Sequence, residues 1–193
     1  MKRSLIIMTL FALCLIFNQA HAQRNLPGMK ALQVTAGMAD GVHWNDNTDF
    51  AYHIGVAYSV YTKNANRWVL GGEYLEKRYN YKDIKIPVQQ FTAEGGYYLN
   101  FLSDRRKTFF LSLGLSALAG YETSNRDKKI LPDGSTLLDK DCFVYGGALT
   151  LELEAYLTDR VVLLLNARER TLFGSDIGKF HTQVGVGVKF IIN

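Results

Sequence analysis

Charged side chains of opposite sign stand at alternate positions in several segments of the chain. The set is Glu94, Glu152, Glu154, Arg168, Arg170 and Lys189. Acids and bases enclosed together form a buried ion-pair network or a polar path for protons or ions. Which of the two arises depends on the elements that hold them.

A second group, near the C-terminus, contains the residue types of a nucleophilic catalyst: Ser175, His181 and Glu169. Their spacing matches no specific triad, and residue alternation puts His181 and Glu169 on different faces. The other histidines show no metal-ligand spacing with each other or with Cys142. We therefore expect no catalytic residues, no metal and no cofactor, and we expect that the chain is not an enzyme.

The elements that position these residues are predicted to be β-strands. Large apolar residues alternate with small or polar ones over 50–61, 108–121 and 180–190, which is the strand period of two. The same pattern predicts strands at 30–38, 68–79, 89–101, 142–157 and 161–171. The total is about eight, and several approach the roughly 9 to 11 residues that a tilted membrane-crossing strand needs.

The predicted connections alternate between short and long. Those at 62–67, 102–107 and 158–160 are short, whereas those at 39–49, 80–88, 122–141 and 172–179 are longer. Outer-membrane barrels show this asymmetry, with short turns on the periplasmic side. The sequence therefore predicts an all-β fold, an antiparallel up-and-down outer-membrane β-barrel of about eight strands.

The two faces of these strands differ in volume. The main alternative is a soluble, lipocalin-like barrel with the large apolar face inside, but about eight strands enclose too little space for those side chains. We expect the apolar face to contact lipid and the charged set to fill the lumen as an ion network, without an open pore. Aromatic residues at strand ends are predicted to form two interfacial girdles: Phe50, Trp68, Phe101, Phe109, Tyr121, Phe143 and Phe190.

The N-terminal residues have the pattern of a secretory signal peptide. Met1-Lys2-Arg3 precedes an apolar run over 5–17 and Ala20-His21-Ala22, so we expect cleavage after residue 22 and a single barrel domain over 23–193. The net charge of +4 falls to +2 without Lys2 and Arg3, which gives no support to direct nucleic-acid binding. Cys142 then remains as a single cysteine and cannot form an internal disulfide.

Several stretches, in order and at similar spacing, resemble the TraO family of conjugative-transposon transfer proteins. They are Arg24-Asn25-Leu26-Pro27-Gly28, Tyr81-Lys82-Asp83-Ile84-Lys85-Ile86-Pro87, Phe91-Thr92-Ala93-Glu94-Gly95-Gly96-Tyr97, Arg106-Lys107-Thr108-Phe109, Ala119-Gly120-Tyr121-Glu122-Thr123, Leu131-Pro132-Asp133-Gly134 and Tyr156-Leu157-Thr158-Asp159-Arg160-Val161-Val162. The resemblance implies a structural or interaction component of a mating-pair or type IV secretion apparatus in the outer membrane. It also implies other conjugal transfer proteins as partners.

Further partners and alternative functions follow from the barrel itself. Outer-membrane lipid would surround it, and the stretch from Gln183 to Phe190 resembles the terminal-strand signal read by the barrel assembly machinery. The alternatives are a general small outer-membrane barrel, adhesin-like or envelope-stabilising, and a lipid-modifying barrel enzyme.

Overall fold

The computed structural model describes residues 24–39, 51–81, 84–124, 142–174 and 180–192. Within them lie eight strands: β1 Lys30–Ala39, β2 Ala51–Tyr61, β3 Arg67–Tyr81, β4 Ile84–Ser103, β5 Phe109–Ser124, β6 Cys142–Tyr156, β7 Val161–Phe173 and β8 Phe180–Ile192. Each strand pairs antiparallel with the next, and β1 pairs with β8. The predicted up-and-down barrel is confirmed. The predicted signal peptide and Phe50 lie outside the described residues.

Strand parity separates the two faces as the sequence predicts. On β5, Leu113 and Leu115 point outward, with 41% and 70% of their surfaces exposed, whereas Ser112 and Ser116 are buried inside. The inner face is narrow and largely small or polar, so it accommodates charged side chains. The large apolar residues cover the outside, which excludes the lipocalin-like arrangement.

Aromatic residues mark two levels on the outer wall. At one end Trp68 packs on Tyr97, with ring centroids 4.7 Å apart, and at the other Tyr74 packs on Phe91 at 4.9 Å. The remaining predicted girdle residues in the described part are also exposed: Phe101, Phe109, Tyr121, Phe143 and Phe190. Such a band, about 25 Å tall between aromatic girdles, is the surface that outer-membrane barrels present to lipid.

The two ends of the barrel differ. We call the end with the first and last described residues and the short connections 62–66, 104–108 and 157–160 the turn end, and the opposite end the loop end. Several predicted boundaries shift, among them the following three. Arg67 begins a strand instead of closing a turn, Glu122–Ser124 still belong to β5, and β7 continues to Phe173. The rest of the predicted 122–141 connection lies outside the described residues.

The predicted long loop 80–88 is wrong. Strands β3 and β4 continue through it and pair from Arg78 with Pro87 to Tyr81 with Ile84. The described part of β2 begins opposite Lys77 and that of β5 ends opposite Val88, so beyond these positions β3 and β4 pair, among the described residues, only with each other. Pro87 thus has no second strand beside it in the described part of the chain, and proline is tolerated at such an edge.

The segment before β1 crosses the turn end of the lumen. Asn25 is buried and accepts a hydrogen bond from the Tyr156 hydroxyl, and the Gly28 amide donates to the Tyr61 carbonyl at 2.9 Å. Arg24 lies against Asp159 at 3.4 Å and above the Tyr156 ring. Beneath this segment is an apolar cluster: Ala31, Tyr61, Phe110, Tyr156, Val162, Leu164 and Ile191. Together they close the turn end.

Candidate functional site in the barrel lumen

Two groups of charged side chains lie in the lumen, and the four residues of the first, at the turn end, carry no net charge together. The turn-end cluster comprises Arg67, Glu152, Glu154 and Lys189, with side chains at most 2% exposed. Arg67 donates to Glu152 at 2.6 Å, and Lys189 lies 3.2 Å from Glu152 and bonds Glu154 as well. Buried charges are tolerated only when paired and hydrogen-bonded, which this arrangement achieves.

Neighbouring polar groups complete the turn-end cluster. Arg67 also donates to the Ser112 hydroxyl at 3.1 Å, and the Tyr61 hydroxyl donates to Glu154 at 3.0 Å. The rings of Tyr61 and Tyr98 lie 5.9 and 4.9 Å from the Arg67 guanidinium carbon, within cation–π range. Each side chain of the cluster is therefore held by several strands at once.

The loop-end cluster comprises Arg168, Arg170, Glu73 and Glu94. Arg168 contacts Glu94 at 2.6 Å and Glu73 at 3.1 Å, while Arg170 contacts Glu73 at 2.5 Å. Two glutamines extend it: Gln90 accepts from Arg170, and Gln183 donates to Glu73 at 2.9 Å. These contacts connect β3 and β4 with β7 and β8 across the lumen.

Tyr98 joins the two clusters. Its hydroxyl donates to Glu94 at 3.2 Å and accepts from Arg168 at 3.3 Å, while its ring faces Arg67. The ring lies on Gly114 of the neighbouring strand, where a Cβ atom would be 2.5 Å from a ring carbon. Gly114 is thus the residue that leaves space for the bridging tyrosine.

Gly114→Ala should therefore destabilise the barrel. A methyl group at this position displaces the Tyr98 ring, and overpacking of this kind costs about 1 to 3 kcal/mol. Gly72→Ala is the matched control, because its Cβ would point outward with no atom nearer than 3.8 Å. Urea unfolding in lipid vesicles, followed by tryptophan fluorescence, measures both. Equal midpoints for the two variants would contradict the bridging role.

One cavity in the lumen, of about 30 Å³, lies among side chains that include Gln33, His53, Gln183, Glu73 and Tyr98. That volume accommodates about two water molecules, since one needs roughly 10 to 15 Å³. The apolar cluster at the turn end and the two charged clusters above it occupy the lumen of the described residues.

All six residues expected to line the lumen lie on the inner face, but in two separate groups. Glu94, Arg168 and Arg170 meet near the loop end, and Glu152, Glu154 and Lys189 near the turn end. The sequence interpretation misses Arg67 and Glu73. Both are odd-numbered residues of β3 and point inward, because Trp68 and Leu70 point outward. The alternation would have identified Glu73 directly, and Arg67 once the predicted strand is extended by one residue.

The residues considered for nucleophilic chemistry are not brought together. His181 is buried in the lumen, whereas Glu169 lies on the outer wall and accepts from the Thr182 hydroxyl at 2.5 Å. Ser175 lies outside the described residues. In the described ranges no three histidine, cysteine or acidic residues are grouped to hold a metal ion. Nor does that part of the chain contain a helix long and apolar enough to cross a membrane.

Comparison with known proteins identifies the fold and the family. The structure is similar to the outer membrane protein OprG from Pseudomonas aeruginosa, with 13% identity, 87% of this chain and 98% of that chain covered, and a TM-score of 0.57. Neisserial surface protein A gives 16% identity, 83% and 96% coverage, and a TM-score of 0.54. Ail, the attachment invasion locus protein of Yersinia pestis, gives 11% identity, 86% and 100% coverage, and a TM-score of 0.50.

At these identities the likeness establishes the fold alone, that of outer-membrane barrels. No curated protein matches the sequence. The family model of conjugative transposon protein TraO matches residues 26–192, which is nearly the whole chain. The chain therefore belongs to the TraO family of conjugative transposon proteins.

Proposed function

We propose that this chain is a structural and interaction component of a conjugal DNA transfer apparatus, of the mating-pair or type IV secretion kind, in the outer membrane. The main observation in support of this proposal is the family match over residues 26–192. Because side chains occupy the lumen, we propose that the protein acts through its outer surfaces and not by transport through the barrel. We further propose that the chain is not an enzyme, which the separation of His181 in the lumen from Glu169 on the outer wall supports.

The outer wall supports the location. Exposed leucines and valines occupy the band between the aromatic girdles, as on barrels inserted in lipid. The turn end then faces the periplasm and the loop end faces outside. In β8, Val186, Val188 and Phe190 alternate with inward-facing residues and point outward, a pattern that fits recognition of this strand by the barrel assembly machinery.

The projecting β3–β4 hairpin is the surface best suited to partner contact. Beyond Lys77 and Val88, these two strands pair within the described residues only with each other. Strand edges of this kind can add a strand from another protein through main-chain hydrogen bonds. Of the stretch that carries part of the family resemblance, Tyr81 and residues 84–87 belong to the paired part of these two strands.

Deleting the gene should abolish transposon transfer in a mating assay without changing the mass of lipid A. Complementation with the wild-type gene should restore transfer. An unchanged mating frequency in the deletion strain would contradict the transfer role. A changed lipid profile would instead support the lipid-modifying alternative.

Shortening the hairpin tests the surface separately. Joining Lys77 to Val88 through Asn-Gly, a sequence suited to a two-residue hairpin turn, removes the projection and leaves the barrel strands intact. We expect heat-modifiable migration in detergent gels as in wild type, and strongly reduced transfer. Normal transfer with this variant, combined with loss on gene deletion, would place the partner surface elsewhere on the barrel.

A further inference from the structure

Exposed basic side chains are concentrated around the turn end. They come from the start of β1 and from all three short connections: Lys30, Lys63, Arg105, Arg106, Lys107 and Arg160. None forms an ion pair within the described residues. The acids of these connections are Asp104 and Asp159, and Asp159 lies against Arg24. The turn end therefore has a marked excess of positive charge, which we call the basic rim.

The basic rim lies beside apolar side chains of the outer wall. A β-bulge between Asn100 and Leu102 leaves Phe101 and Leu102 both exposed, at 58% and 61%, and Phe109 follows the turn at 50%. Arg105, Arg106 and Lys107 are thus at the tip of a turn whose two strands enter the apolar band. Cations directly beyond an aromatic girdle lie at the level of lipid headgroups.

We infer that the basic rim binds anionic phospholipid headgroups of the leaflet at the turn end. Arginine and lysine form charge-assisted hydrogen bonds with phosphate oxygens, and basic residues at a membrane surface are attracted to anionic lipid. The charges are distributed around the barrel, next to the aromatic girdle of the turn end. Lipids that surround the barrel could contact all of them, whereas an acidic protein bound on one side would contact only some. This inference requires membrane insertion but is independent of the proposed role in DNA transfer.

Tryptophan quenching can measure this preference. The chain has two tryptophans, and Trp44→Phe leaves Trp68, a residue that is 58% exposed on the outer wall near the turn end. The protein is refolded into phosphatidylcholine vesicles that contain brominated phosphatidylglycerol or, in parallel, brominated phosphatidylcholine. We expect phosphatidylglycerol to be preferred near Trp68 by about fivefold, and the preference to fall with added salt.

Charge variants of the β4–β5 turn provide the controls. The triple variant R105Q/R106Q/K107N should lower the ratio of quenching by phosphatidylglycerol to quenching by phosphatidylcholine towards one. Asparagine is chosen at position 107 because Lys107 has a φ of 51°, a backbone conformation that asparagine tolerates. R105K/R106K keeps the charge and should behave as wild type, whereas D104N should increase the preference. Heat-modifiable migration verifies folding of every variant. Equal quenching by the two lipids in wild type, or an unchanged preference in the triple variant, overturns the inference and favours an acidic protein as the partner of the rim.

Discussion

Arg67→Met should lower the free energy of unfolding of the barrel by about 3 to 5 kcal/mol, because it leaves two buried carboxylates with a single cation, Lys189, and so one uncompensated buried charge. Arg67 is fully buried and lies 2.6 Å from Glu152 and 3.6 Å from Glu154. Methionine fills much of the same volume, so the loss comes from charge more than from packing. Urea unfolding in lipid vesicles, followed by tryptophan fluorescence, measures it.

The double variant Arg67→Met with Glu152→Gln tests the electrostatic cause. It leaves Lys189 paired with Glu154 and makes the turn-end cluster neutral again, so it should regain much of the lost stability. Arg106→Gln, an exposed arginine on the basic rim, should leave the unfolding midpoint unchanged. If the double variant were as unstable as Arg67→Met, packing and not charge balance would account for the effect.

Leu115→Arg should destabilise the membrane-inserted barrel by about 2 to 4 kcal/mol. Leu115 is 70% exposed on the outer wall and lies midway along β5 between Phe109 and Tyr121, which belong to the two girdles. An arginine there must be accommodated near the centre of the apolar band, where headgroups and water are farthest away. Unfolding in vesicles of matched thickness provides the measurement.

Leu102→Arg makes the same change at the turn end of the wall, where Leu102 is 61% exposed. Because charge is tolerated near the interface, it should cost about 0 to 1 kcal/mol. The difference between the two variants is the informative quantity. Equal costs would mean that Leu115 does not lie near the middle of the membrane.

The barrel and its inner face were predictable because the strand period is two. The lumen of about eight strands is too narrow for the large apolar face that includes Leu113 and Leu115, so that face must point outward. Glu152, Arg168 and Lys189 lie at alternate positions to the large apolar residues of their strands and were therefore predicted to point inward. Their division into two clusters was not predictable, since it depends on the stagger between strands and on Tyr98 packing against Gly114. Neither the stagger nor the contact between Tyr98 and Gly114 produces a recognisable pattern in the sequence of a single strand.

The β3–β4 hairpin shows where the sequence pattern fails. Lys82, Asp83 and Pro87 give the segment the composition of a loop, and beyond the barrel no lipid or lumen imposes alternation on it. The structure nevertheless continues the ladder to Tyr81 and Ile84, because hydrogen bonds between the two backbones require no particular side chains. Strand ends outside the membrane are thus the least predictable part of this fold.

Closure of the barrel between β1 and β8 has a kinetic consequence. Lys30 pairs with Ile192, so the first and last strands of the described chain meet each other. Contacts of such long sequence separation form slowly, because the loop entropy must be lost before the pairing contributes. Until β8 docks, the free edges of β1 and β7 can pair with other chains. Slow closing therefore lengthens the time for which these two edges are exposed, and shortening it should reduce pairing with other chains.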